Sequence, residues 1–266
     1  LSTKLLDPST RDEVIAQNAL EQERIRFAQE TKPKLMKEAN ADLKYRPQFD
    51  WNNYKPVYPT FMGKVLHESI PIKEVIKYID WTYFFWAWKV KPTGEIGTYL
   101  KEDALKLLDR LSNEGATIEI LKAFYPAIGT SHSIKITLKQ SDHQENCPCC
   151  QKAIEIETPR QSKGEIRKSL CDYISPNNDC IGAFAITMCK SFVNEVEALK
   201  NTIEDYQMIL MQTVGDRLVE AAAEWMSEQN AQRYNWKGIR PAIGYPILPD
   251  QKNIFKVAKI ITLGSI

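Results

Sequence analysis

Thr117-Ile118-Glu119-Ile120-Leu121-Lys122-Ala123-Phe124-Tyr125 reads as a strand, and the segments that follow it decide the fold class. Ser133–Leu138 is a second strand by pattern. Ala153–Thr158 is a third, with Ile154 and Ile156 alternating with charged residues. The polar stretch 139–152 between these two carries three cysteines, so a hairpin with an elaborated tip is expected there. Gly182–Thr187 is another strand. Cys180 and Cys189 bracket the apolar run Ile181–Met188 and read as packing residues. Ile254–Thr262 is a possible final strand, ambiguous with helix.

Helical patterns are interspersed among these strands. Pro71 stands near the start of a short helix over Ile72–Ile79. Lys101–Glu114 has Leu105, Leu107, Leu108 and Leu111 at helical spacing, and Gly115 is placed to end it. From Ser191 to about Asn230 the chain is rich in Ala, Leu, Met and Glu and free of Pro, which predicts one continuous helix. No regular βαβ alternation and no internal repeat occurs. The expected class is therefore α+β, a mostly antiparallel twisted sheet flanked by helices.

Residues 1–45 differ from the rest. They are charged, with a thin apolar stripe that Pro33 interrupts, and read as a helical linker or arm that packs on something else. Residues 46–266 then form the main domain. Its first part holds Pro47, Pro56 and Pro59 among Phe49, Trp51, Tyr54, Tyr58 and Phe61, the pattern of extended chain lying over a surface. The run Trp81–Trp88 is strongly aromatic and reads as a core wall.

With 35 basic against 34 acidic residues, the net charge is +1, so there is no overall pull on nucleic acid or on anionic membrane. The longest apolar run, Tyr83–Trp88, falls far short of the roughly 20 residues that a membrane span needs. No secretory signal is seen, although the sequence begins at Leu1, and six cysteines suggest reduced thiols and a cytoplasmic location.

Few motifs carry chemistry. Cys147-Pro148-Cys149-Cys150, with His143 before it, supplies half a zinc site, a redox pair or free surface thiols; Cys171 and Cys180 are badly spaced to complete it. No phosphate-binding glycine loop and no nucleophile elbow is present, which disfavours nucleotide-triphosphate enzymes and Rossmann dehydrogenases. The segment Gly238-Ile239-Arg240-Pro241-Ala242-Ile243-Gly244-Tyr245-Pro246 stands out. Its prolines and glycines stiffen the backbone and let it turn sharply, so Arg240 is fixed in direction, and its planar fork suits a carboxylate. Gly244 would let a flat ring approach the main chain, and Tyr245 adds an aromatic face with a hydroxyl. The alternative is a solvent loop with a structural Arg.

The run Arg240-Pro-x-x-Gly244-Tyr245-Pro246 resembles the S-adenosylmethionine-binding signature of the C-terminal reactivation domain of cobalamin-dependent methionine synthase. Tyr78-Ile79-Asp80-Trp81-Thr82-Tyr83-Phe84-Phe85 is similar to a second signature of that family. Phe49-Asp50-Trp51, Phe124-Tyr125-Pro126-Ala127, Ile181-Gly182-Ala183-Phe184-Ala185 and Asp216-Arg217-Leu218-Val219-Glu220-Ala221 agree as well, in the family's order.

The resemblance implies that Arg240 holds the carboxylate of S-adenosylmethionine and Asp80 its amino group. Main-chain groups around Ala242 and Gly244 would face the adenine, Tyr245 would border the cofactor and an approaching corrin, and Glu220 would be a polar support. It implies reductive methylation of cob(II)alamin to methylcobalamin, with cobalamin bound by a neighbouring domain and a flavodoxin-type electron donor. The arm over 1–45 would be the linker from that cobalamin domain. No acid–base or metal-ligating residue is called for. The family's domain extends several dozen residues past the position of Ile266, including a Tyr-Phe pair at the cofactor, so the pocket is expected to be incomplete here. An interaction module that keeps the fold without the cofactor is the alternative, and a zinc-stabilised module on Cys147 and Cys150 is a third.

Overall fold

The computed structural model describes residues 43–139, 151–200, 202–234 and 238–263. The chain divides into two compact units, Leu1–Arg46 and Pro47–Ile266. In the first, Leu43–Tyr45 make one 3-10 turn; the rest of the expected arm lies outside the described residues. So does the cysteine tip at Cys147–Cys150.

The second unit is an α+β domain on a five-stranded antiparallel sheet. Its strands are β1 (Val65–Pro71), β2 (Thr117–Gly129), β3 (Ser133–Lys139), β4 (Gln151–Glu157) and β5 (Asp179–Met188). β2 is the organising strand. It pairs with β5 from Ile118↔Met188 to Ala127↔Asp179, and on its other edge with β1 from Thr117↔Pro71 to Ala123↔Val65. β3 takes over that edge only at Ala127–Gly129 and then pairs fully with β4.

Pro126 explains how a proline fits inside β2. The Phe124 carbonyl accepts from Gly63 N at 2.8 Å, so Phe124 directs its backbone groups to the β1 edge, as does Pro126 two residues on. β1 has already ended there and β3 has barely begun, so the missing N–H of Pro126 faces a gap in the ladder. On the β5 side Gly182 lies opposite Phe124, and a Cβ there would stand 2.8 Å from the ring.

Alternation along β2 separates two cores. Ile118 and Ile120 face four helices: α1 (Trp81–Trp88), α2 (Glu95–Asn113), α3 (Lys190–Leu199) and α4 (Asp205–Tyr234). Phe84, Leu108, Phe192 and Leu218 fill that space. On the opposite face Ala123, Tyr125 and Ala127 pack with Ile134, Ile136 and Ile156 beneath α5 (Asn253–Leu263).

Several expected elements differ. The single helix from Ser191 to Asn230 is two, α3 and α4. The break lies where the Thr202 hydroxyl donates to Leu199 O and accepts from Glu204 N, a side-chain turn that competes with the helix. The ambiguous Ile254–Thr262 is helical: Lys252 N donates to Asp250 Oδ1, and Val257, Ile260 and Ile261 turn inward at helical spacing. Ile72–Ile79 is two 3-10 turns, Ile72–Glu74 and Ile76–Tyr78, rather than one helix. α2 begins at Glu95, a turn and a half before the expected start. β1 matches no expected element. The aromatic run is helix α1, in which Phe84 and Phe85 are buried and Tyr83 and Trp86 exposed, so only half of it walls the core.

Candidate functional site

α4 is the floor of the site. Its buried side, including Leu218, Ala222 and Trp225, packs against the sheet and the shorter helices. Arg217, Glu220, Glu224 and Glu228 recur every three or four residues and so share one face. Each end of this stripe is tied to the α1 region. The Tyr78 hydroxyl donates to Glu228, and the Arg217 guanidinium carbon lies 5.7 Å from the centre of the Tyr83 ring. Burial leaves Arg217 Nε without a hydrogen-bond partner.

Asp80 lies between those two tethers. It is the N-cap of α1, where Oδ1 accepts from Thr82 N at 2.8 Å. The side chain is exposed, and Oδ2 makes no hydrogen bond among the described residues. The buried Phe84 and Phe85 fix the helix, and with it the direction of the carboxylate.

Arg240 reaches the same face from the other side. One terminal nitrogen donates to Ser227 Oγ at 3.1 Å, and the other donates to Glu224. Ser227 sits one turn from Glu224 on α4, and its own hydroxyl donates to Ala223 O, which turns a lone pair to the guanidinium. Asp80 and Arg240, 160 positions apart in sequence, thus border one stripe of one helix.

The segment after Arg240 is a tight double turn. Tyr245 N donates to Ala242 O at 3.3 Å, Gly244 N to Leu248 O at 2.8 Å and Leu248 N to Tyr245 O at 2.8 Å. Gly244 has φ +97°, a conformation that side-chain-bearing residues rarely adopt, and this meets the expectation for a sharply turned backbone. Leu248 is buried, and Ile243 and Ile247 pack on the second core, anchoring the loop from beneath. Ala242, Gly244 and Tyr245 stay on the surface, Tyr245 at 63% exposure.

The end of α4 that launches this loop is fixed by a buried cation. Lys122, 1% exposed on β2, donates to Glu68 Oε2 at 2.9 Å and to Asn230 Oδ1 at 3.5 Å, and Arg233 lies 3.6 Å from Glu68. A buried lysine is tolerated only with such pairing.

Glu220 is exposed on α4 between Asp216 and Glu224. With Asp216 and Arg217 it lines a hollow of about 700 Å³ whose apolar wall includes Met188, Phe192 and Val196. A smaller hollow of about 320 Å³ lies on the opposite sheet face beside His67, Glu119 and Thr187. Hydrogen bonds from Ser69 and Thr117 hold the Glu119 carboxyl below its ordinary range. His67 Nε2 stands 2.7 Å from Glu119 Oε2, and Cys189 Sγ stands 3.2 Å from Ser191 Oγ. No cluster suited to a metal occurs among the described residues.

Sequence reasoning missed Glu224 and Ser227. Their signal was present only in part: Glu224 stands one helical turn past Glu220, but nothing local ties it to an Arg sixteen positions on.

Residues 71–265 match the family model for the activation domain of vitamin B12 dependent methionine synthase. Among solved structures, the chain is similar to the MetH reactivation domain bound to AdoHcy, at 25% identity and a TM-score of 0.70. That likeness covers 84% of this chain and 77% of the other. Fold, sequence blocks and family match agree, and the chain belongs to the activation-domain family of vitamin B12 dependent methionine synthase.

Proposed function

We propose that this domain binds S-adenosylmethionine across α4 and presents its methyl group to cobalamin held by a neighbouring domain. The observation that carries the reading is that Asp80 and Arg240 border the same helix face. An amino-acid head is a zwitterion, and an acid and a base on separate rigid segments suit its two ends. The free Oδ2 of Asp80 serves the ammonium. Arg240, seated on Ser227, serves the carboxylate with the N–H groups of its guanidinium fork. The exposed backbone of Ala242 and Gly244 is open to an adenine edge, with Tyr245 beside it and Glu220 as a polar support toward the hollow. AdoHcy in the related structure is what S-adenosylmethionine becomes once its methyl has left, and this favours the same ligand here.

Cobalamin held by a neighbouring domain would supply the cobalt that accepts the methyl, with one electron coming from a flavodoxin-type donor. This chain's part is to bind and orient the donor. The sulfonium leaves as a neutral thioether, so no general acid is required.

Calorimetric titration of the full chain with S-adenosylmethionine tests the reading. Arg240→Ala is expected to weaken binding at least about tenfold, the loss of one charge-assisted hydrogen-bonded pair, with the fold unchanged by circular dichroism. Unchanged affinity would overturn it. A module that keeps the fold without the ligand is the second reading, and the carboxylate already on Arg240 favours it. A wild-type chain that takes up no S-adenosylmethionine would establish that alternative.

A further inference from the structure

The guanidinium assigned to the ligand already has a carboxylate on it. Glu224 bonds Arg240 through a single oxygen, and its side chain is 60% exposed against 27% for Arg240. An exposed one-oxygen ion pair is weak, so Glu224 can swing away at little cost while Arg240 stays seated on Ser227. Glu224 nevertheless has few other partners to turn to. Glu220 and Glu228 stand one turn away on either side, and like charges at that spacing repel. Glu228 is already bonded by Tyr78 and by Gln232 Nε2. The other cation on this face, Arg217, lies beneath the Tyr83 ring.

A ligand carboxylate arriving at Arg240 therefore displaces a negative charge into a row of negative charges. Glu224, between Glu220 and Glu228 on α4, then loses a guanidinium that the ligand has neutralised. The site is left short of positive charge unless the ligand brings it. S-adenosylmethionine does: its ammonium and sulfonium outnumber its carboxylate. S-adenosylhomocysteine lacks the sulfonium and is neutral overall. The sulfonium sits a short methylene chain from the carboxylate, well inside the screening distance of about 8 Å.

We infer that Glu224 is an exchangeable counter-ion of Arg240, and that by returning to this site it makes binding depend on the ligand's charge, favouring the methyl donor over its demethylated product. Such a residue determines specificity and aids product release. It touches the sulfonium's field rather than the reacting bond. The inference rests on the assignment of Arg240 to the ligand carboxylate.

The test compares both ligands on the full chain by calorimetry, in wild type, Glu224→Gln and Arg240→Ala, with thermal melting to establish folding. Glu224→Gln is expected to tighten S-adenosylhomocysteine binding about threefold while leaving S-adenosylmethionine within about twofold, the scale of one exposed charge pair, so the preference for the donor narrows. If both ligands shift by the same factor, or the preference stays or widens, Glu224 is not a charge filter and the inference fails alone. If Arg240→Ala binds both ligands as wild type does, the underlying assignment fails and takes the inference with it.

Discussion

The two arms that border α4 are built in opposite ways. The Asp80 arm is regular structure: a helix capped by the acid itself, nailed down by Phe84 and Phe85 and closed at Lys89, whose N–H donates to Trp86 O. The Arg240 arm has no regular element. Its shape comes from a glycine at positive φ, three turn hydrogen bonds and the apolar anchors Ile243, Ile247 and Leu248. In the first arm the group proposed to meet the ligand is also the structural group, one carboxylate. In the second they are separate, and the guanidinium is held by side chains borrowed from α4. Under the proposed function, a rigid acid and a base with adjustable partners would let one end of the ligand dock while the other is still exchanging counter-ions.

The largest blow to this contrast is Phe84→Ala. Phe84 is fully buried, so truncation is expected to cost about 3–5 kcal/mol in chemical denaturation. Tyr245→Ala, in the other arm, should cost less than about 0.5 kcal/mol because its ring is mostly in water. Comparable losses at the two positions would erase the distinction.

A pair of changes at Asp80 separates its two duties. Asp80→Ala removes the cap and should destabilise the domain by about 1 kcal/mol, whereas Asp80→Asn keeps a capping oxygen and should cost only a few tenths. Both are expected to weaken S-adenosylmethionine binding, because both remove the charge. If Asp80→Asn retains wild-type affinity, Asp80 is a cap and nothing more.

The smallest effect is alkaline. Tyr206 stacks against Trp88 at the far end of α1, and burial, with the nearby Asp103 carboxylate, pushes its hydroxyl up to about 12. The folded state therefore keeps this proton after the unfolded chain has lost it. Its contribution is fully present below the ordinary tyrosine value near 10 and is lost as pH rises through about 12. Tyr206→Phe should flatten stability against pH over that interval. An unchanged slope would remove Tyr206 from the account.

Much of this was legible in the sequence, and the physical reasons differ by element. β2 to β5 declared themselves because alternating apolar residues meet a one-sided core, and the double turn after Arg240 because glycine and proline mark backbone geometry directly. β1 was hidden. Its inner face carries Glu68, which is partnered by the buried Lys122, so a charge stands where an apolar residue would signal a strand. The break between α3 and α4 contains neither Gly nor Pro and depends on one threonine hydroxyl. α5 is rich in β-branched residues, and only its spacing against the second core makes it a helix. Arg240 stood out from its glycine- and proline-rich turn, whereas Asp80 was found through resemblance. Glu224 is a long-range partner of Arg240, and no local pattern names it.

The gap at Pro126 has a mechanical consequence. Only the β2–β5 ribbon runs continuously from one core to the other, because the opposite edge of β2 changes partner between β1 and β3. The sheet is thus a spine with two separately hinged wings. Local opening of the β3–β4 hairpin need not loosen β1 and the helices that carry the acid. If the domain docks and undocks a large neighbour as proposed, such insulation would let a disturbance of one wing die out at the proline before it reaches the other.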